Sequence, residues 1–300
     1  MTRMTEVFYP RHPRNPRFSS SNQPNRSAIH VMPCTLVHPL AVLPLRRLCP
    51  ATLNFAALVI GSMSPDFGYY INQFSVTGFA HTMLGTLTVC LPSGIVVLVI
   101  FYLVRQPLCF ILPQPHRSAL LPLASIRPLL SPRWCMVAVI SLLLGSWTHT
   151  IWDSFTHAGA WSVERISILR ESLFRVHGTV FPASYILQQF STFGGGAALA
   201  ITYIMWLRRH RPRAPFDAGT FSDLKRYCLL ALLAVVALAI SIPAAVRMAS
   251  HFHGYLAFRV LVFRAGVYFT AAFVPLLAFS SFALYAMHRR KVQHGLMTGA

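Results

Sequence analysis

The sequence predicts an all-α polytopic integral membrane protein, with five full transmembrane helices after a short N-terminal helical hairpin. Three observations predict it. Apolar residues make up 55% of the 300-residue chain and charged residues only 11%, against roughly 25% charged in an ordinary soluble domain. The mean hydropathy is +0.54. Five apolar runs are each long enough to cross a bilayer, which takes about 20 residues. These features exclude a soluble enzyme, a disordered chain and a secreted disulfide scaffold.

Residues 1–31 differ from the rest of the chain. They hold Arg3, Arg11, Arg14, Arg17 and Arg26 and no apolar run of signal-peptide length, so they read as a disordered extension. A start of translation at Met32 is the alternative, and a chain beginning there is expected to insert and fold as well as the full one. Residues 32–300 read as a single transmembrane helical domain.

Two apolar runs open that domain, 36–45 and 51–64, separated by Arg46, Arg47, Leu48, Cys49 and Pro50. Each is too short for a full crossing. Together they suit a hairpin, either re-entrant or made of two short tilted helices. The five spans come next, near 82–104, 134–152, 184–207, 227–246 and 266–287. Pro92, Pro243 and Pro275 fall inside spans, where neighbouring helices can satisfy the freed carbonyl. Gly194, Gly195 and Gly196 predict a kink or a close helix contact. Ile166, Leu169 and Leu173 recur at helical spacing, predicting a short amphipathic helix over 162–177 on the membrane surface.

The net charge of +19 comes from 26 basic residues, 24 of them Arg, against 7 acidic ones. On a membrane chain this reads as orientation and contact with lipid headgroups, and no nucleic-acid partner is expected. The loops 105–133 and 208–226 and the C-terminal tail hold thirteen Arg and Lys, and the opposite loops hold six. The positive-inside rule puts the first set, and the C-terminus, in the cytoplasm. None of the six cysteines forms a Cys-x-x-Cys pair, so neither a zinc ribbon nor a disulfide framework is expected.

With so few acidic residues, their positions carry information. Asp66 lies just after the hairpin in "GSMSPDFGYY", and Asp153 ends the span 134–152 in "GSWTHTIWDSFTHAGAW". His149 and Asp153 are four apart, on one helical face. His81 opens the span 82–104, which must run antiparallel to 134–152, so His81 and His149 reach the same membrane face. The hairpin returns His38 and Asp66 to that face. Five groups of metal-ligand type thus converge: His38, Asp66, His81, His149 and Asp153. Their chemistry suits a divalent ion such as Zn, Mn or Fe. Taken singly, each has a plainer role, Asp66 as a helix cap and His149 with Asp153 as an i,i+4 pair. Ionisable groups at membrane depth are nevertheless costly and tend to be functional. His251 and His253 form a further His-x-His on the loop 247–265, and His157 extends the stripe of His149 if the helix persists.

The segments "MPCTLVHPLAVLPLRRL", "VIGSMSPDFGYY", "FAHTMLGT" and "SWTHTIWDSFTHAGAW" resemble an uncharacterised bacterial membrane family, domain-of-unknown-function family 4184. Its members open Met-Pro-Phe-Thr-x-Ser-His-Pro. More distantly the chain resembles the LexA-regulated, membrane-bound metal-dependent hydrolases. That resemblance covers His38, Asp66, His81, His149, Asp153 and Thr156. It lapses at Gly68, where those proteins carry a second Asp, and at Val76 and Thr77, where they carry His and Arg. Two ligands of a two-metal site are therefore missing. The resemblance implies a metal-dependent hydrolase of the bacterial inner membrane. It would act at the outer face on an amphiphilic lipid or phosphoester, with Asp66 or Asp153 as general base. The alternative is a non-enzymatic membrane protein, transporter-like or structural, whose cluster holds spans together or binds an ion.

Overall fold

The computed structural model describes residues 35–48, 52–125, 131–176, 179–210 and 221–298. The expectations for 1–31 and for a start at Met32 lie outside the described residues. The chain is an all-α polytopic membrane protein. Its N-terminal hairpin opens with a 3-10 turn, Thr35–Val37, followed by α1 (Pro39–Leu48) and α2 (Phe55–Gly61). At ten and seven residues, neither helix is long enough to cross a bilayer alone.

Asn54 starts α2. Its side chain accepts from the Ala57 N–H at 3.0 Å and donates to the Tyr102 hydroxyl at 3.1 Å, while its own N–H donates to Ser141 Oγ at 2.9 Å. One residue thereby satisfies the helix start and fixes it to two neighbouring spans. After α2 the chain passes through a 3-10 turn, Ser64–Asp66, then α3 (Phe67–Tyr70) and α4 (Phe74–Ala80).

Five long helices come next. The first joins α5 (Met83–Gly85), a π turn (Thr86–Cys90) and α6 (Leu91–Ile111). A ten-residue helix, α7 (His116–Ser125), leads to α8 (Pro132–Thr156), which starts on a Ser131 cap. Beyond it lie the short α9 (Trp161–Arg165) and α10 (Ser167–Arg170). A two-stranded antiparallel hairpin, β1 (Ser172–Val176) and β2 (Thr179–Pro182), precedes α11 (Ala183–Arg209). The last two long helices are α12 (Asp223–Ala249) and α13 (Gly254–Thr298). The helices outrun the apolar runs at most ends, so the loop expected over 247–265 shortens to the few residues between α12 and α13.

Apolar side chains cover the outside of the long helices. Val96, Val99 and Leu103 on α6 and Leu232, Val235 and Ile240 on α12 are exposed. Only 17% of the most apolar stretch of the first span is buried in protein. Helices that are apolar all round need lipid on the faces that protein leaves open. Charge at the far end of the bundle is internally matched. Arg226, fully buried, donates from Nε to the Phe110 carbonyl at 3.1 Å and from Nη1 to Asp223 Oδ1 at 3.3 Å and to the Phe221 carbonyl. These bonds fasten the start of α12 to the end of α6.

The surface segment corrects the expectation of one amphipathic helix over 162–177. Only 161–165 and 167–170 are helical, and 172–176 is a strand. Phe174 pairs with Phe181 across the strands, with ring centroids 5.1 Å apart. Aromatic cross-strand pairs of this kind stabilise two-stranded ribbons. They win here over helical spacing because β1 is exposed along its whole length and has no core to face.

The core lies where α2, α6 and α8 meet, around Ala57, Ile60, Leu98, Ala138 and Leu142. Two glycines allow α2 to lie directly on α8. A Cβ at Gly61 would stand 2.2 Å from the Leu142 carbonyl oxygen, and one at Gly145 would stand 2.3 Å from the Leu58 carbonyl oxygen. Small residues at both positions permit backbone contact of the kind that drives helix association in membranes. The Gly194–Gly196 run supplies a looser contact. A Cβ at Gly195 would meet Val37 at 3.5 Å and Leu40 at 3.7 Å, so this is where α11 meets the N-terminal hairpin.

Gly145→Ala is expected to lower stability by about 2–3 kcal/mol, since backbone must move to admit the methyl. Gly266→Ala, where a Cβ meets nothing within 4 Å, should be neutral or stabilise by up to about 1 kcal/mol through helix propensity. Thermal unfolding of the two purified variants in detergent checks the contrast, and equal melting temperatures would count against the close packing.

Candidate metal centre

Four segments deliver the polar cluster to one end of the bundle. The turn Thr35–Val37 presents His38, and the turn Ser64–Asp66 presents Asp66. His81 comes directly after the last residue of α4 rather than opening the first span, which begins at Met83. His149 and Asp153 come from the last turns of α8. Asp66 precedes α3 but makes no side-chain capping bond there, so the capping role does not account for it.

Backbone carbonyls hold two of the imidazoles. His149 Nδ1 lies 2.7 Å from the Ser62 carbonyl oxygen, and His81 Nδ1 lies 2.8 Å from that of Thr77. A carbonyl can only accept, so each Nδ1 carries a proton. In the neutral tautomer each Nε2 then offers a bare lone pair. These two Nε2 atoms point at one another, 3.2 Å apart. His149 Nε2 is 3.6 Å from Asp66 Oδ1 and 3.2 Å from Asp153 Oδ2; His81 Nε2 is 3.6 Å and 3.5 Å from the same oxygens.

Asp66, His81, His149 and Asp153 therefore each bring one donor atom into a group within 4.8 Å, and this group could hold a metal ion. Five of the six edges of the group measure 3.2–3.6 Å. A tetrahedron of N and O ligands at 2.0–2.1 Å from zinc has edges of about 3.3–3.4 Å. The side chains of Asp66 and His149 are shut from solvent, whereas the His81 side chain is 20% exposed. The group opens on the His81 side.

His38 stands outside this group of four. Its ring stacks on that of His149, centroids 3.7 Å apart and 22° from parallel, and its Nε2 is 3.6 Å from Asp153 Oδ1. Burial, reinforced by His149 beside it, pulls the His38 pKa down to about 4, so the ring is neutral at pH 7. Burial alone would raise the Asp66 carboxyl, and a positive charge at His149 is what outweighs burial and holds it below its usual range. His157 stands just past the end of α8, with Nδ1 3.8 Å from Asp153 Oδ2 and 3.0 Å from the Thr156 hydroxyl. His251 and His253 are not part of the group. His251 instead lines a cavity of about 380 Å³ between α12 and α13, with Pro243, Arg247 and Tyr268.

Residue-type reasoning missed the groups that fix the ligands. Thr35 donates to Asp66 Oδ2 at 2.7 Å, a bond buried between two segments 31 residues apart. The signal was present, since Thr35 stands in the opening "MPCTLVHP" motif. The carbonyls of Ser62 and Thr77 carry no side-chain signature. Thr35→Val keeps the volume and removes the hydroxyl. Affinity for Zn²⁺, measured by chelator competition, is expected to fall about 10–100-fold, as when other outer partners of metal ligands are removed. Unchanged affinity would separate Thr35 from the site.

Known proteins give one point of comparison. The model of a family described as "Domain of unknown function (DUF4184)" matches residues 32–282. No curated protein and no solved structure matches the chain. With most of its length matched, the chain belongs to this domain-of-unknown-function family, DUF4184.

Proposed function

We propose that the chain is a metal-dependent hydrolase of the bacterial inner membrane, acting at the outer face on an amphiphilic lipid or phosphoester. The observation that carries the metal is the pair of imidazole Nε2 atoms 3.2 Å apart, each opposite an Nδ1–H bound to a carbonyl. Two lone pairs at that distance need something positive between them. A single shared proton leaves the buried group at net −1, because Asp66 and Asp153 meet only histidines in ion pairs among the described residues. A divalent ion balances both carboxylates with neutral histidines. Unbalanced buried charge is costly, so the ion is the favoured occupant. The mixed N and O donors suit Zn, Mn or Fe.

When bound, such an ion polarises a phosphoryl or acyl oxygen and makes a water more acidic. The chain's own part is to hold the ligands, to shut Asp66 and His149 from solvent, and to take the proton of the attacking water on Asp66 or Asp153. An amphiphilic substrate is supported by where the opening at His81 lies. The site stands at the ends of spans, where headgroups meet the protein, and the cavity at Arg247 and His251 lies at the same end of the bundle. Membrane lipid is the expected partner, and nucleic acid is not. The Arg and Lys asymmetry supports the reading in which that end lies outside and the C-terminus in the cytoplasm.

A second reading has its own observation. The cluster links the hairpin, α4 and α8, and the Thr35–Asp66 bond alone ties residues 31 apart. It could therefore serve structure, or bind an ion, in a protein that is no enzyme. Elemental analysis of the purified chain separates the two. The hydrolase reading expects stoichiometric metal that is lost in His149→Ala, and metal-dependent release of headgroup or phosphate from lipid phosphoesters in mixed micelles. Asp66→Asn should lower that turnover about 10²–10⁴-fold. Metal-free protein that merely melts lower as His149→Ala favours the structural reading. A reporter fused after Ala300 should read as cytoplasmic, and a periplasmic reading would reverse the orientation.

A further inference from the structure

Beside the tetrahedral group stands a further pair of ligand-type atoms. His38 Nε2 and Asp153 Oδ1 are 3.6 Å apart. Both are buried, and neither has a hydrogen-bond partner among the described residues. At 3.6 Å they do not hydrogen-bond to each other, but the separation matches the longer edges of the tetrahedral group. Stacking on His149 orients the His38 ring. The other oxygen of Asp153 faces His149 and His81. One carboxylate therefore presents its two oxygens to two separate places.

We propose a second, weaker divalent-cation position, held by His38 Nε2 and Asp153 Oδ1, with Asp153 bridging it to the first. The inference rests on the four-residue metal reading and adds a second ion to it. His38 is then a ligand of the second ion and not of the first. Paired ions sharing a ligand sit about 3.5–4 Å apart and clamp the attacking and leaving oxygens of a displacement. The chain supplies only two donors here. Water or substrate oxygens complete the shell, as is common for ions bound through few protein ligands. Mn²⁺, which accepts mixed imidazole and oxygen donors, suits it. With both ions present the centre is net positive, which selects an anionic phosphoester over a neutral acyl ester.

The test is titration of the metal-stripped full chain in detergent with Mn²⁺, followed by equilibrium dialysis and electron paramagnetic resonance. The wild type is expected to bind two ions per chain, the second more weakly, with an exchange-coupled spectrum at saturation. His38→Ala and the bulkier His38→Gln are expected to bind one ion, uncoupled, with first-site affinity changed less than about tenfold, the lower bound for loss of an outer partner. Saturation of the wild type at one uncoupled ion overturns the second position whether or not the variants fold. Two ions in folded His38→Ala overturn the assignment to His38. No Mn²⁺ or Zn²⁺ bound at all sinks the four-residue reading, and the second position with it.

Discussion

The backbone contact between α2 and α8 is the constraint on which the polar site depends. Gly61 and Gly145 remove the side chains that would hold the two helices apart. The Ser62 carbonyl, one residue past Gly61, then reaches His149, four residues past Gly145, at 2.7 Å. The same contact seats the apolar core of Ala57, Ile60, Ala138 and Leu142. Packing and chemistry are therefore one structure here. A shift that opened the helix contact would also release the ring that faces the carboxylates.

Electrostatics explains why such tight support is needed. Two carboxylates and two imidazoles crowd together with little water to screen them, so each misplaced atom is expensive. Every ligand of the group answers to a second contact. Thr35 holds Asp66, Ser62 holds His149, Thr77 holds His81, and Asp153 stands on the same rigid helix as His149. Partners of this kind orient metal ligands and fix the histidine tautomers. His81 is the partly exposed member of the group, and it marks where the site meets its surroundings.

The opposite end of the bundle is built differently. Arg226 is buried, yet its charge is taken up by two carbonyls and Asp223, with the rings of Phe110 and Phe221 alongside. Those bonds satisfy most of its donors locally and fasten one helix to another. At the site end, carboxylate and imidazole atoms instead crowd together at 3.2–3.6 Å, with no Arg or Lys side chain in these ion pairs of the described residues. One end of the molecule reads as a fastening and the other as a place for a ligand.

The sequence by itself determined the spans, the hairpin and the level of the polar residues. Apolar run length and chain alternation are local or forced, so His149 over Asp153, and His81 on the same face, result from spacing and direction. It failed at 162–177, where helical spacing lost to the cross-strand pairing of Phe174 with Phe181, residues whose proximity no local pattern records. Spacing and direction also brought His38 to the cluster, but level in the membrane cannot tell which oxygen of Asp153 a ring faces. Only the tertiary structure decided that, along with the roles of Thr35, Gly61, Gly145 and the two carbonyls. The Thr35 bond, the glycine contact and the Ser62 carbonyl each join distant parts of the chain, and a carbonyl is the same in every residue until the fold gives it a neighbour.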